Sequence, residues 1–188
     1  VLSAVNNAAI KEKIPVNLRD VDSEWFGLTI RSRPIFYVKD RVNPTELSTY
    51  EALADSKWRG RICIRSSGNV YNQSLVASML RANGSEATLQ WAEGLVSNLA
   101  RKPTGGDTDQ LRAAAAGQCD LAIANTYYFG RLIDSKKPAD REVVSKLGVF
   151  FPNQDGRGSH INVSGIGVTK HAKNRTEAVQ LLEFMVSD

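Results

Sequence analysis

Two long β-rich segments, residues 25–38 and 161–169, bracket most of this 188-residue chain and limit its folds more than any other feature. The first, WFGLTIRSRPIFYV, is long for a single strand and is broken at Pro34, which has no N–H to give to a ladder. The second, INVSGIGVT, carries Gly165 and Gly167. Two long, interrupted strands around a run of other elements read as two crossings between lobes. Residues 36–160 are therefore expected to close into one α/β lobe. Residues 1–35 would be a partial first lobe with the first crossing strand, and residues 161–188 the second crossing strand and the return.

Between the crossings, apolar runs alternate with helical periodicity. Strand 62–65 leads through SSGNVY into a helix over 72–83, with Leu75, Val76, Met79 and Leu80 on one face and Gly84 as its stop. A second helix spans 85–100, where Trp91, Leu95 and Leu99 mark a buried stripe. Asp107 and Thr108 read as the cap of a helix over 109–116. Strand 119–124 then runs into Asn125-Thr126 and a helix opening on Tyr127 and Tyr128. Residues 136–141 read as a polar loop, and 149–152 as a short strand ended by Pro152. Outside the bracket, residues 1–13 read as a helix stopped by Pro15, and 174–186 as a helix with Ala178, Leu181, Leu182 and Met185 on one face. The alternation predicts an α/β fold with a mostly parallel sheet.

Composition narrows the function classes. No apolar run reaches the length of a membrane span. The net charge of +4 comes from Lys and Arg interspersed with acids, as in KKPADRE at 136–142, which is a solvated surface and not a nucleic-acid footprint. There is no CxxC, HExxH, P-loop or G-x-S-x-G, and His160 and His171 lack ligand spacing, so no nucleophile–base set is evident and no catalysis is expected. Cys63 and Cys119 fall in predicted strands; one bridge and two buried thiols both remain open.

In an open α/β sheet, ligands bind beyond the carboxyl ends of the strands. Strand 62–65 puts Tyr71 at that edge, and strand 119–124 puts Tyr127 and Tyr128 there. Adjacent side chains diverge inside a strand but can converge on the first turn of a helix. A free phenol has a pKa of about 10. A hard, highly charged cation displaces its proton, and Fe(III) suits the resulting anionic oxygen. Helix N-termini flanked by Ser66, Ser67, Asn69 and Asn72 suit an anion, and Arg31 either faces such an anion or is solvated. Two readings stand: a tyrosinate metal site, or tyrosines rimming a cleft for an organic anion or phosphorylated solute.

The runs RGRICIRSSGNVYNQSLVASML (59–80) and GGDTDQLRAAAAGQCDLAIANTYYFGRL (105–132) closely resemble the periplasmic ferric-iron-binding proteins of ABC transporters, nearest to the cyanobacterial-type, FutA/FbpA-like members. NVSGIGVTKHAKN (162–174) and GLTIRSRPIFYVKD (27–40) look like that family's hinge-crossing strands. The resemblance implies a type II periplasmic-binding-protein fold, with a complete second lobe and a partial first lobe. It implies a periplasmic, monomeric, non-enzymatic carrier that delivers Fe(III) to a membrane permease. Tyr71, Tyr127 and Tyr128 match the family's tyrosinate ligands and Arg31 a cleft arginine; Ser66 and Asn72, at the helix N-termini, are expected to serve an anion or outer contacts. Further family ligands, typically a His-Tyr pair near the N-terminus, have no counterpart here, so the chain is expected to begin partway through the first lobe and to stop before the last helices. Three phenolates would leave positions on the ion open to water or a synergistic anion such as carbonate.

Overall fold

The computed structural model describes residues 1–187, which divide into two compact units: residues 32–161, and residues 1–31 together with 162–187. The central unit thus begins at Ser32, somewhat before the expected residue 36, and ends at Ile161.

In the flanking unit, strand β1 (Leu2–Ser3) precedes helix α1 (Ala8–Lys13). The expected helix over 1–13 is therefore only its second half, begun where the Asn7 side chain accepts the Ile10 N–H. Strand β2 (Phe26–Ser32) carries the chain into the central unit.

Strand β3 (Ile35–Val38) follows immediately after the Arg33-Pro34 break. Strand β4 (Ile62–Cys63) leads to helix α2 (Val70–Ser97), which is two helices joined at a kink where Gly84 takes φ +78°, a conformation open to glycine and costly for residues with a Cβ. Helix α3 (Asp107–Ala115), strand β5 (Leu121–Ile123), helix α4 (Thr126–Ile133), helix α5 (Pro138–Lys146) and strand β6 (Leu147–Phe150) complete the unit. Helix α5 replaces the expected polar loop; Pro138 occupies its first turn, where a missing N–H costs nothing. Back in the flanking unit come strand β7 (Ile161–Ile166), which pairs with β2, strand β8 (Val168–Thr169), antiparallel to β1, and helix α6 (Arg175–Val186). Val5, Ile10, Phe26, Val168 and Leu182 form that unit's core.

The central sheet has the order β4-β5-β3-β6. Only β4 and β5 are parallel; β3 runs antiparallel to both β5 and β6. The expectation of a mostly parallel sheet is thus corrected. β3 comes straight from the crossing segment and inserts between strands of later sequence, so no βαβ crossover fixes its direction. Side chains alternate cleanly across the sheet. Ile35, Ile62, Leu121 and Ile123 face a core built with Tyr50, Leu53, Trp58, Leu75, Met79, Trp91 and Leu95. Phe36, Val38, Cys63, Ala122 and Ala124 face the other core, with Leu111, Leu132 and Val143 from α3, α4 and α5. Both faces are covered, so the strand ends and the turns beyond them remain for function.

Cys63 and Cys119 are bridged, with Cα atoms 5.9 Å apart. Cys119 precedes β5 and is not within it, and Cys63 pairs in register with Ala122. The bridge therefore links β4 to the approach of its parallel neighbour.

Candidate functional site

The first strand-to-helix junction, from β4 into α2, is held by its own backbone. Ser66 Oγ accepts the Gly68 N–H at 3.2 Å, and the Ser66 carbonyl accepts the Asn69 N–H at 3.2 Å. Asn69 then caps α2, its Oδ1 accepting the Tyr71 N–H at 3.0 Å. Tyr71 is left half-buried in the helix's first turn.

The second junction, from β5 into α4, is more abrupt. Asn125 occupies the cap position with extended backbone, and its carbonyl accepts the Tyr128 N–H at 3.1 Å. Its side chain does not cap the helix. The Asn125 Oδ1 instead accepts from Arg33 Nη1 at 2.9 Å. Thr126, Tyr127 and Tyr128 form the first turn, all half-buried.

The two junctions meet at the phenols. Tyr127 donates to the Tyr71 hydroxyl at 2.9 Å. The Tyr127 and Tyr128 rings lie 4.3 Å apart between centroids, with planes inclined by 31°. The Arg131 guanidinium, one helical turn further along α4, lies 5.2 Å from the Tyr127 ring centroid and 5.8 Å from that of Tyr128. Arg65 stands 5.5 Å from the Tyr71 ring. All three distances are within cation–π range, where a guanidinium favours electron-rich rings.

Burial pushes the Tyr127 phenol above its ordinary value, and hydrogen bonding and charge proximity to Tyr128 and Tyr71 push it the same way. Three phenols packed together cannot all ionise without mutual repulsion. In the metal-free chain the Tyr127 phenol is therefore held to its proton. A strongly charged cation placed among them would supply what water cannot, a positive centre shared by several phenolate oxygens.

Beneath the phenols, Arg33 is fully buried. Its Nη1 pairs with Asp107 Oδ2 at 2.9 Å, and its Nη2 donates to Asn72 Oδ1 at 2.6 Å. Asp107, also fully buried, takes Arg65 Nη1 on its other oxygen at 3.3 Å and accepts the Asn125 backbone N–H at 2.7 Å. Asn72 in turn donates to the Arg65 carbonyl at 2.8 Å. The Arg33 backbone is fixed as well: its N–H reaches the His160 carbonyl at 3.1 Å, and its carbonyl accepts the Tyr50 hydroxyl at 2.8 Å. His160 also pairs with Ser74 at 2.9 Å, and burial, with Arg33 nearby, lowers its pKa.

The three tyrosines read from the sequence thus share one edge. Asn72 sits below them in the Arg33 network, while Ser66 is exposed and serves the turn before α2. Arg31 belongs to the flanking unit, where its guanidinium donates to the Ser164 hydroxyl. Arg33, Asp107, Asn125 and Arg131 escaped sequence reasoning as site residues. Arg131 had a readable signal, its i,i+4 spacing from Tyr127. Asp107 was read as a helix cap, but Gly106 holds that position and the carboxylate turns inward. Among the described residues, no cluster of three or more His, Cys, Asp or Glu is arranged to hold a metal.

The chain is 54% identical over 188 residues to iron uptake protein A1 of Synechocystis sp. (strain ATCC 27184 / PCC 6803 / Kazusa), covering all of this chain and 52% of that protein. A Trichodesmium FutA (IdiA) structure in complex with iron and citrate ligands superposes with a TM-score of 0.95 at 50% identity, covering 100% of this chain and 59% of that one. A ferric binding protein from Campylobacter jejuni superposes with a TM-score of 0.91 at 45% identity, covering 99% and 59%. The chain spans about half the length of the curated relatives it matches. These neighbours are type II periplasmic iron-binding proteins, and the mixed α/β fold described above is part of that architecture. A family model for bacterial extracellular solute-binding proteins matches residues 5–188, and the chain belongs to that family.

Proposed function

We propose that this chain binds Fe(III) through the phenolates of Tyr71, Tyr127 and Tyr128, as part of a periplasmic carrier that hands the ion to an ABC-type importer. The observation that carries the reading is the 2.9 Å contact between the Tyr71 and Tyr127 hydroxyls, with the Tyr128 ring stacked beside them. Three oxygens of one kind at the mouths of two helices suit a hard, trivalent cation, which replaces their protons and removes their mutual repulsion. Arg131 and Arg65 against the rings offset part of the anionic charge that appears when the phenols ionise. The relatives' names, iron uptake and ferric binding, support the same cargo. The citrate in the Trichodesmium structure supports completion of the shell by a small oxygen anion, carbonate being the candidate expected from the sequence. A rival occupant, an organic anion or phosphorylated solute held by the helix N-termini and Arg31, is less well supported, because the Arg31 guanidinium is engaged by the Ser164 hydroxyl within the flanking unit.

Competition titration against an iron chelator tests the reading. Tyr127→Phe and Tyr128→Phe should each weaken ferric binding by more than the roughly 10- to 100-fold typical of losing an outer partner. The iron-loaded chain should absorb visible light through its phenolates; a colourless loaded sample with unchanged affinity in both variants rejects the assignment. The pH dependence has a fixed sign. Iron must displace a proton from each phenol it binds, and burial raises the pKa of Tyr127 further, so log K should rise by about one unit per pH unit for each phenol that ionises.

A further inference from the structure

We propose that Arg33 is the positioning residue of the phenol cluster, setting the spacing of Tyr71 and Tyr127 from below through Asn72 and Asn125. This rests on the iron reading above and adds a device that pre-arranges the donors. The Arg33 guanidinium carbon lies 6.0 Å from the Tyr71 ring centroid. The guanidinium bonds the residue directly after Tyr71, through Asn72 Oδ1 at 2.6 Å and 3.2 Å. It also bonds the residue that precedes the tyrosine helix, through Asn125 Oδ1 at 2.9 Å. One rigid, planar fork therefore reaches both junctions, which come from strands far apart in sequence. A lysine, with a single ammonium on a flexible stem, cannot hold both in a fixed geometry.

Three further features support a positioning role. Asn125 gives its side chain to Arg33 and leaves α4 without a side-chain cap, so a locally favourable bond is given up for a long-range one. Asp107 fixes the same guanidinium and also takes the Asn125 backbone N–H at 2.7 Å, so the carboxylate holds the helix start and the fork together. The Arg33 main chain is pinned by Tyr50 and His160, and His160 returns to α2 at Ser74, three residues after Tyr71. Donors fixed before the metal arrives spare the ion the cost of ordering them, which is the way outer contacts raise metal affinity.

The test compares Arg33→Lys and Asn72→Ser with Leu53→Ala, a core change outside the network that serves as a control for lost stability. Ferric affinity and the visible phenolate band are measured on all three. The metal-free chains are labelled with 3-fluorotyrosine and examined by fluorine NMR for whether Tyr71→Phe shifts the Tyr127 signal. Arg33→Lys and Asn72→Ser should bind iron about 10- to 100-fold more weakly, with a displaced band. Both should also lose the coupling between Tyr71 and Tyr127, while Leu53→Ala keeps the band and the coupling. Unchanged affinity and band in Arg33→Lys, or an equal loss in Leu53→Ala, overturns the proposal; if Arg33→Lys does not fold, Asn72→Ser decides. If the wild-type chain shows no phenolate band at all, the iron reading fails separately. The metal-free coupling still judges Arg33, and its persistence in the variants overturns the positioning role.

Discussion

The two strand-to-helix junctions reach the same edge by different means. The β4–α2 junction spends six residues on its turn and closes it with local bonds: Ser66 to Gly68, Ser66 to Asn69, and Asn69 to Tyr71. The β5–α4 junction turns within two residues and has no side-chain cap; what fixes it is Arg33 and Asp107, from distant parts of the chain. The first closes its turn with bonds of its own sequence, and Arg33 reaches it only behind that turn, at Asn72. The second needs the rest of the central unit in place. A phenol cluster assembled from one local and one long-range junction becomes well defined only when the whole unit is folded.

The largest effect that would break this contrast comes from removing the shared anchor. Asp107→Ala leaves Arg33 buried without its counterion and frees the Asn125 N–H. Breaking a buried pair in this way costs about 3–5 kcal/mol, to be read from the urea midpoint. If the second junction relies on long-range contacts, fluorotyrosine signals from Tyr127 and Tyr128 should broaden more than that from Tyr71. Equal broadening at all three would place the dependence in the unit as a whole and not in this junction.

The sequence was legible wherever a local rule governs. Gly84 marked the break in α2, and the φ of +78° explains why a glycine stands there. The strand ahead of each tyrosine followed from short-range pattern, whereas SSGNVY was legible only as a loop, its last two residues joining α2 behind the Asn69 cap. What was not legible depends on tertiary partners. Arg31 and Arg33 lie two apart in RSRP and read alike; one is half-exposed beside Ser164 and the other is fully buried. No sequence pattern separates them, since burial of an arginine is decided by Asp107, Asn72 and Asn125, all remote. The direction of β3 was hidden for the same reason, being set by neighbours that come later in the chain. Helix α5 was hidden in its charges, although Pro138 in the first turn and Asp140 close behind it were available signs.

A smaller effect separates the strands from the turns. The Cys63–Cys119 bridge closes a loop with a sequence separation of 56 and ties β4 to the approach of β5, ahead of both junctions. Its removal, by Cys63→Ser with Cys119→Ser, should cost about 2–4 kcal/mol of stability, mostly by freeing the unfolded chain. Because the bridge constrains neither turn, the visible band of the iron-loaded double variant should stay where it is in the wild type. A displaced band would show that strand alignment, and not the turns, sets the phenol geometry.

The smallest effect probes the local junction alone. Asn69→Ala removes the acceptor for the Tyr71 N–H and should cost about 1 kcal/mol, whereas Asn69→Gly should cost only a few tenths. Asn125 occupies the matching position, so an ordinary cap would give the same pair of values there. It is not an ordinary cap: Asn125→Ala strips a buried guanidinium of an acceptor, and Asn125→Gly does so equally. Both Asn125 variants should therefore lose more than their Asn69 counterparts, and glycine should not rescue. Glycine rescue at Asn125 matching that at Asn69 would mean that both junctions are held locally, and the contrast between them would be gone.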